Sequence, residues 1–300
     1  MSLITLGTVA LDNIKTASGI KSQLMGGSAA HFAMSASLFT EVHLVSVIGK
    51  DFPAGHIQLL RRKGINLDSV VKQEGKTFQW HGEYKKGDYN KAITHSTELG
   101  VLANYEPHVT SAQRNIPNVF LANLGPDVQM KFLKMMRNPK FVGLDSMNLW
   151  INTMRQAVLD IMREVDLFVL NDGEAGLLTG ETNLIKAAKQ LRQMGPTLVV
   201  IKKGEHGVLV YSDRFMCMFP AYPVEKVIDP TGAGDTFAGG LMGYLSTQKK
   251  INEAALRKAV IYATTIASFN VEGFGAARTI PLTMPQVNER MSKLKKFITP

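Results

Sequence analysis

The chain predicts an α/β fold in three layers, a mostly parallel sheet between helices, with a second, small sheet projecting from it. Three observations lead there. Over most of the chain, apolar runs of strand length are each followed by a helical pattern, the order expected of a parallel sheet covered on both faces. Residues 66–100 change character to short strands joined by polar turns. No internal repeat or low-complexity linker divides the chain, so one domain is expected over residues 1–300.

Taken in order, Leu3–Val9 reads as a strand, Ser28–Leu38 as a helix, Val42–Ile48 as a strand and Ala54–Lys63 as a helix. Val70-Val71, Thr77–Tyr84 and Ala92–Thr97 read as short strands, with Lys85-Lys86-Gly87-Asp88 as a hairpin tip. The strand–helix alternation resumes with Val119–Ala122, Phe141–Leu144, Leu167–Leu170 and Leu198–Ile201. Val208–Tyr211 is a further strand, and Asn252–Ser268 a long helix. Met291–Lys296 reads as a solvated helix face. The small sheet is expected from residues 15–25 and 66–100.

Composition excludes several classes. Hydrophobic residues make up 45% and charged residues 20% of the 300 positions, enough apolar matter for a sizeable core. No apolar run approaches the ~20 residues a membrane span needs. Ser2–Gly7 reads as a strand rather than a secretion signal. The single cysteine, Cys217, excludes an internal disulfide and a cysteine-built zinc site, which makes a cytoplasmic location the default expectation. The net charge of +9 is spread along the chain in short doublets such as Arg61-Arg62, so neither a nucleic-acid nor a membrane partner is expected.

The densest chemistry lies in Asp229-Pro230-Thr231-Gly232-Ala233-Gly234-Asp235-Thr236-Phe237. Phe237, Leu241, Tyr244 and Leu245 recur at helical spacing, so residues 232–234 open a helix. A helix N-terminus offers unpaired N–H groups and partial positive charge, and glycines let a phosphate approach them. Asp235 at the mouth of that cradle does not help hold an anion. It makes sense as a base taking a proton from an attacking hydroxyl. An ordinary glycine-rich loop fits the same residues. A dinucleotide fingerprint fits Gly232, Gly234 and Ala238 loosely, but Asp-Pro-Thr does not end an apolar strand, and no acidic residue follows at the expected interval.

The run DPTGAGDTFAGG resembles the C-terminal signature of the ribokinase-like (phosphofructokinase B-type) sugar and nucleoside kinases. The resemblance implies a ribokinase-like fold whose small sheet is a lid over the acceptor. It implies ATP and Mg²⁺ as partners, Asp235 as catalytic base, and Gly232, Ala233 and Gly234 as backbone donors to the transferring phosphoryl. Asn171 and Glu174, after the strand Leu167–Leu170, resemble the family's Asn-x-x-Glu motif, which orders Mg²⁺ and water; a helix capping pair explains them as well. Lys202-Lys203-Gly204-Glu205-His206-Gly207 resembles the loop beside the nucleotide, with Lys202, Gly204 and Gly207 as contacts and a plain hairpin turn as the alternative. Thr231, Asn270 and Gly273 fall by resemblance on the nucleotide side. Asp229 falls where some relatives hold a monovalent cation such as K⁺.

On the acceptor side, Asp12 matches an Asp that bonds acceptor hydroxyls, and Gly26-Gly27 match the di-glycine motif that touches the acceptor. His31 stands where many sugar kinases of the family have Asn, so plain ribose is not assured. Phe78, Trp80 and Tyr84 are evenly spaced on one strand face and suit either a stacked base or packing of the lid on itself or on a second subunit. The expected reaction is phosphorylation of a primary hydroxyl of a small sugar or sugar-like acceptor. A nucleoside kinase of the same fold is the alternative, and a non-catalytic ligand-binding or regulatory protein is the alternative from another class. A homodimer through the lid is a further expectation.

Overall fold

A computed structural model describes residues 2–298. In chain order, β1 (Ser2–Leu6) leads to β2 (Ala10–Thr16), β3 (Gly19–Gly26) and helix α1 (Ser28–Ala36). Then come β4 (Glu41–Gly49), α2 (Ala54–Arg62), β5 (Ile65–Gln73), β6 (Gln79–Lys85) and β7 (Asp88–Glu98). The middle of the chain holds β8 (Asn118–Leu121), α3 (Pro126–Met135), β9 (Phe141–Asp145), α4 (Asn148–Thr153), α5 (Arg155–Met162) and β10 (Leu167–Asn171). It continues with α6 (Asp172–Thr179), α7 (Leu184–Gln193), β11 (Leu198–Lys202), β12 (Val208–Tyr211) and β13 (Met216–Phe219). Helices α8 (Ala233–Ser246), α9 (Glu253–Asn270) and α10 (Met284–Ile298) close the chain.

The main sheet runs β13-β12-β11-β10-β9-β8-β1-β4-β5. Its seven strands from β11 to β5 are parallel, and β12 and β13 add an antiparallel edge. Successive side chains point to opposite faces, and here both faces are apolar. Leu3, Leu44, Phe120 and Val200 face α1, α8 and α9, while Ile4, Leu121, Leu144 and Phe168 face α3, α5, α6 and α7. Phe32 of α1 stacks on Phe120 at 4.3 Å between centroids. No helix among the described residues is long and apolar enough to cross a membrane.

The second sheet has the order β3-β2-β6-β7, with β2 and β6 parallel and the outer pairs antiparallel. Two expectations change here. Residues 66–73, expected in the projecting sheet, belong to β5 at the edge of the main sheet, where Val70 and Val71 pair with Ser46 and Val47. An edge strand covered on one face reads as polar, and only Ile65 and Ser69 of β5 are buried. The small sheet starts earlier than expected, at Ala10. The first strand ends at Leu6 because Thr8 turns away to bond α1: Ala29 N–H donates to the Thr8 carbonyl at 3.0 Å and Thr8 N–H to Ser28 Oγ at 3.1 Å. The Met291–Lys296 segment is solvated as expected except for Met291 and Leu294, which are buried.

Candidate active site

The strands β1, β8, β9, β10 and β11 all end on one side of the sheet, where ligands of open parallel sheets bind. Helix α8 begins at the same place. Its N-cap, Gly232, has φ 72°, and no side chain caps the end. A Cβ at Gly232 would drive into the His31 ring, so the left-handed turn and the close approach both require glycine. The Ala233 N–H turns back to the Pro230 carbonyl at 3.1 Å. Of the three amides expected to face a phosphoryl, that of Ala233 therefore already serves the turn. Asp235 lies in the first turn of the helix.

Two loops brace this floor. Asp229 is fully buried and its carboxylate accepts Thr231 N–H at 2.9 Å and Gly275 N–H at 2.8 Å. Asn270, expected on the nucleotide side, is also fully buried and braces the signature loop. Its Nδ2 donates to the Thr231 carbonyl at 2.8 Å and its Oδ1 accepts from Thr236 Oγ1 at 3.1 Å. Both polar atoms hold the signature loop. Gly273 lies in the same loop, its N–H bonded to the Asn270 carbonyl at 3.3 Å.

To one side of Asp235 stands a charged cluster. Lys202 Nζ lies 3.2 Å from Asp145 Oδ2 and 3.0 Å from where a Cβ on Gly234 would be. Glu174 is buried behind them. Asn171 and Glu174 form a reciprocal capping box at the start of α6: Glu174 N–H donates to Asn171 Oδ1 at 2.8 Å, and Asn171 N–H to Glu174 Oε2 at 2.7 Å. The capping role is thus real, and it leaves Glu174 Oε1 outside the box. Burial pushes the Glu174, Asp145 and Asp235 carboxyls above the ordinary carboxylate range; Asp145 adds to the rise at Glu174, and Lys202 opposes it at all three. Burial also works against the Lys202 ammonium, but Asp145, Glu174 and Asp235 outweigh it and hold its pKa above the usual lysine value.

Among the described residues no group of three His, Cys, Asp or Glu side chains is already closed around a metal position. The donors near Asp235 nevertheless fit Mg²⁺, which favours hard oxygens, takes few protein ligands and keeps several waters. Glu174 supplies such an oxygen through Oε1, with Asn171 reaching through water because its Oδ1 already caps α6.

The glycine loop after β11 is a tight hairpin, with Lys203 N–H donating to the Gly207 carbonyl at 2.8 Å. Gly204 and Gly207 both have positive φ, 54° and 88°. Asn90, near the tip of the β6–β7 hairpin, packs against Gly204 and donates to Glu205 Oε2 at 2.5 Å. The projecting sheet therefore reaches across the cleft and touches this loop.

To the other side of Asp235 lies a second pocket wall. Asp12, on β2, is buried, with its carboxylate pressed against Gly26 and receiving the Gly27 N–H. A side chain at 26 would overlap it, which explains the glycine. Burial first, then the charges of Asp229 and Asp235, push the Asp12 pKa up to about 8. His31 is 2% exposed, and neither ring nitrogen has a hydrogen-bond partner. Burial lowers the His31 pKa and so favours the neutral ring. The Asp229 charge and the Asn270 carboxamide stand nearby and work against the effect of burial on the ring. Thr231 Oγ1 is likewise buried and faces the Tyr84 hydroxyl. Orphaned buried polar atoms are rare enough to need an explanation, and a bound ligand supplies one.

Trp80 and Tyr84 of β6 meet edge to face, 6.4 Å between centroids. In the parallel β2–β6 pair Trp80 is level with Asp12, so both side chains leave the same face. The Trp80 ring lies over Gly82 and its indole N–H donates to Thr94 Oγ1 at 3.1 Å. The Tyr84 hydroxyl reaches towards Thr231, and burial raises its pKa. Phe78 precedes the strand, its carbonyl accepting Leu11 N–H at 2.9 Å. Trp150, whose role the sequence leaves open, donates its indole N–H to Asn123 Oδ1 at 3.0 Å, bracing the end of β8. Asp145 is a site residue that the motifs do not reach; its one signal in the sequence is an Asp closing an apolar strand at its carboxyl end.

Comparison with known proteins agrees with this fold. The model of the pfkB family carbohydrate kinases matches residues 11–283. The cytidine kinase of Thermococcus kodakarensis is 31% identical over 260 residues, covering 84% of this chain and 91% of that protein. The crystal structure of Methanocaldococcus jannaschii nucleoside kinase, described as an archaeal member of the ribokinase family, superposes with a TM-score of 0.77 at 24% identity, covering 98% and 99% of the two chains. Burkholderia thailandensis nucleoside kinase in complex with inosine does so with a TM-score of 0.79 at 19% identity, covering 97% and 98%. With the fold, the signature loop and a family match over most of its length in agreement, the chain belongs to the pfkB family of carbohydrate kinases, phosphotransferases with an alcohol group as acceptor.

Proposed function

We propose that this protein is an ATP-dependent nucleoside kinase that phosphorylates a primary hydroxyl, with Asp235 as the base. The observation that carries the reading is the uncapped start of α8 with Asp235 in its first turn, set between a nucleotide side and an acceptor side. Asp235 takes the hydroxyl proton as the oxygen attacks the terminal phosphoryl. The amides of Gly232 and Gly234 and the positive end of α8 stabilise the charge that develops there. Mg²⁺ when bound supplies further neutralisation of phosphate charge. Gly204 and Gly207 shape the wall beside the nucleotide.

A nucleoside is favoured over a free sugar because Trp80 shares the Asp12 face of the lid. Asp12 suits the sugar hydroxyls, and the Trp80–Tyr84 pair offers an aromatic wall for a base. The likeness to a cytidine kinase supports the same class. A free sugar is the second reading, favoured by Asp12 and the di-glycine pair alone. A K⁺ ion between the Asp229 and Gly275 loops and a homodimer through β3, whose Ile20 is 67% exposed, are further proposals. Potassium titration of turnover and sedimentation test them. ATP and nucleosides meet in the cytoplasm, the location this reading carries.

The test is ADP release with Mg-ATP against nucleosides, ribose and sugar phosphates, with Asp235→Asn alongside. The variant should lose ~10²-fold or more in turnover while still binding ATP. Turnover within tenfold of the parent protein removes Asp235 from the role of base.

A further inference from the structure

We infer that Lys202, held in readiness by Asp145, is a catalytic residue whose ammonium engages the phosphoryl oxygens during transfer. The inference rests on reading the cleft as a phosphoryl-transfer site, and it adds a residue whose role the signature loop does not supply.

The geometry is specific. Lys202 ends β11 and Asp145 ends β9, with β10 between them, so both side chains rise from the carboxyl edge of the sheet. Their side chains are 17% and 6% exposed, and Nζ stands 3.2 Å from Oδ2. A pair this buried is poor evidence for added stability, because desolvation offsets the attraction. The position of Nζ supplies a functional reason for the pair. It lies beside Gly234, 3.0 Å from where a Cβ would stand, over the uncapped end of α8. A side chain at 234 would crowd the ammonium there.

Charge points the same way. Asp145, Glu174 and Asp235 are three carboxylates around one ammonium, so with all groups ionised the cluster carries a net −2. Phosphate oxygens settle in such a place only when cations face them. Among the described residues, Lys202 is the cation that acts on all three carboxylates. Lysine suits the task. Its charge is compact and its stem flexible, so Nζ can leave Asp145 for an arriving phosphoryl and return afterwards. Asp145 keeps it there meanwhile, fixed in turn by Ser146 N–H on Oδ1 at 2.8 Å. In the step itself the bond between the terminal phosphorus and its bridging oxygen breaks, the acceptor oxygen–phosphorus bond forms, and the hydroxyl proton passes to Asp235. Lys202 keeps all its protons and makes Asp145 a positioning residue.

The competing role for Lys202 is mere neutralisation of Asp145, and a double variant separates the two. Lys202→Met, Asp145→Asn, the double variant and Lys202→Arg are compared for kcat, acceptor KM and melting temperature. ADP and AMP affinities are measured by titration without acceptor. Lys202→Met should lose about 10²-fold in kcat with acceptor KM changed less than about threefold, as for the loss of a transition-state donor. Lys202→Arg should keep part of the rate. The double variant should regain the melting temperature and stay as slow as Lys202→Met. A Lys202→Met kcat within about threefold of the parent protein, or a double variant that regains the parent rate, overturns the inference while leaving the kinase reading standing. If the parent protein turns over no acceptor, the kinase reading fails by itself and affinity decides for Lys202. Lys202→Met must then weaken ADP binding about tenfold and AMP binding less than about twofold, since AMP lacks the outer phosphate. Equal ADP affinity overturns it.

Discussion

Asp12 makes the folded protein less stable as the pH rises, and Asp12→Asn should remove that dependence. In the fold its carboxyl titrates at about 8, against 3.8 for the ordinary group, a rise of about four units. Between those values the folded chain holds a proton that the unfolded chain has released. Stability therefore falls with rising pH across that window, by up to ~1.4 kcal/mol per pH unit for one proton. Over the whole window that approaches ~6 kcal/mol, a large share of the stability of an ordinary domain. Asp145, Glu174 and Asp235 are also raised and slope the same way, so the substitution subtracts one component only. Asn keeps the oxygen that accepts Gly27 N–H and fits the space beside Gly26. The assay is urea unfolding of the ligand-free protein at half-unit steps from pH 5 to pH 8. Asp12→Asn should flatten the slope between pH 5 and 7 by about 1 kcal/mol per unit and be the more stable protein at pH 8. An unchanged slope, or a variant less stable than the parent at pH 8, refutes the argument that this carboxyl is held protonated by burial.

Two further substitutions probe the site. Gly232→Ala adds a Cβ in the left-handed region, at φ 72°, and presses it on His31. It should cost at least ~1–2 kcal/mol in unfolding free energy, with His31→Ala in the same chain relieving the overlap but not the dihedral strain. Full recovery of stability in the double variant would show that the dihedral contributes nothing. Trp80→Ala should raise KM for a nucleoside about tenfold and leave KM for ribose within about twofold. Equal effects on both acceptors would remove the stacked base.

Much of this molecule could be read before any coordinates, for physical reasons that also mark where reading stops. The main-sheet strands stand out because helices cover both faces, so Val119–Leu121 or Leu198–Ile201 are apolar without interruption. Strand β5 did not, because its outer side is solvated and only tertiary pairing places it beside β4. Strand β2 hides its alternation behind a register shift between Asp12 and Ile14. At the site, residues 229–237 carry their meaning in local geometry, since a helix start and its glycines are set by neighbours in sequence. Asn270 does not: nothing local says that its carboxamide turns inward to hold Thr231 and Thr236 rather than outward. Asp145 and Lys202 carry meaning only as a pair, and they lie 57 positions apart.

The Asn90–Glu205 contact joins the lid that carries Trp80 to the loop that borders the nucleotide. On the proposed nucleoside-kinase reading, a nucleotide that displaced Gly204–His206 would break or reform this contact, and acceptor affinity would change with it. The acceptor must change nucleotide affinity by the same factor, because coupling between two binding sites is reciprocal. An exposed amide on a hairpin tip would then carry part of that coupling.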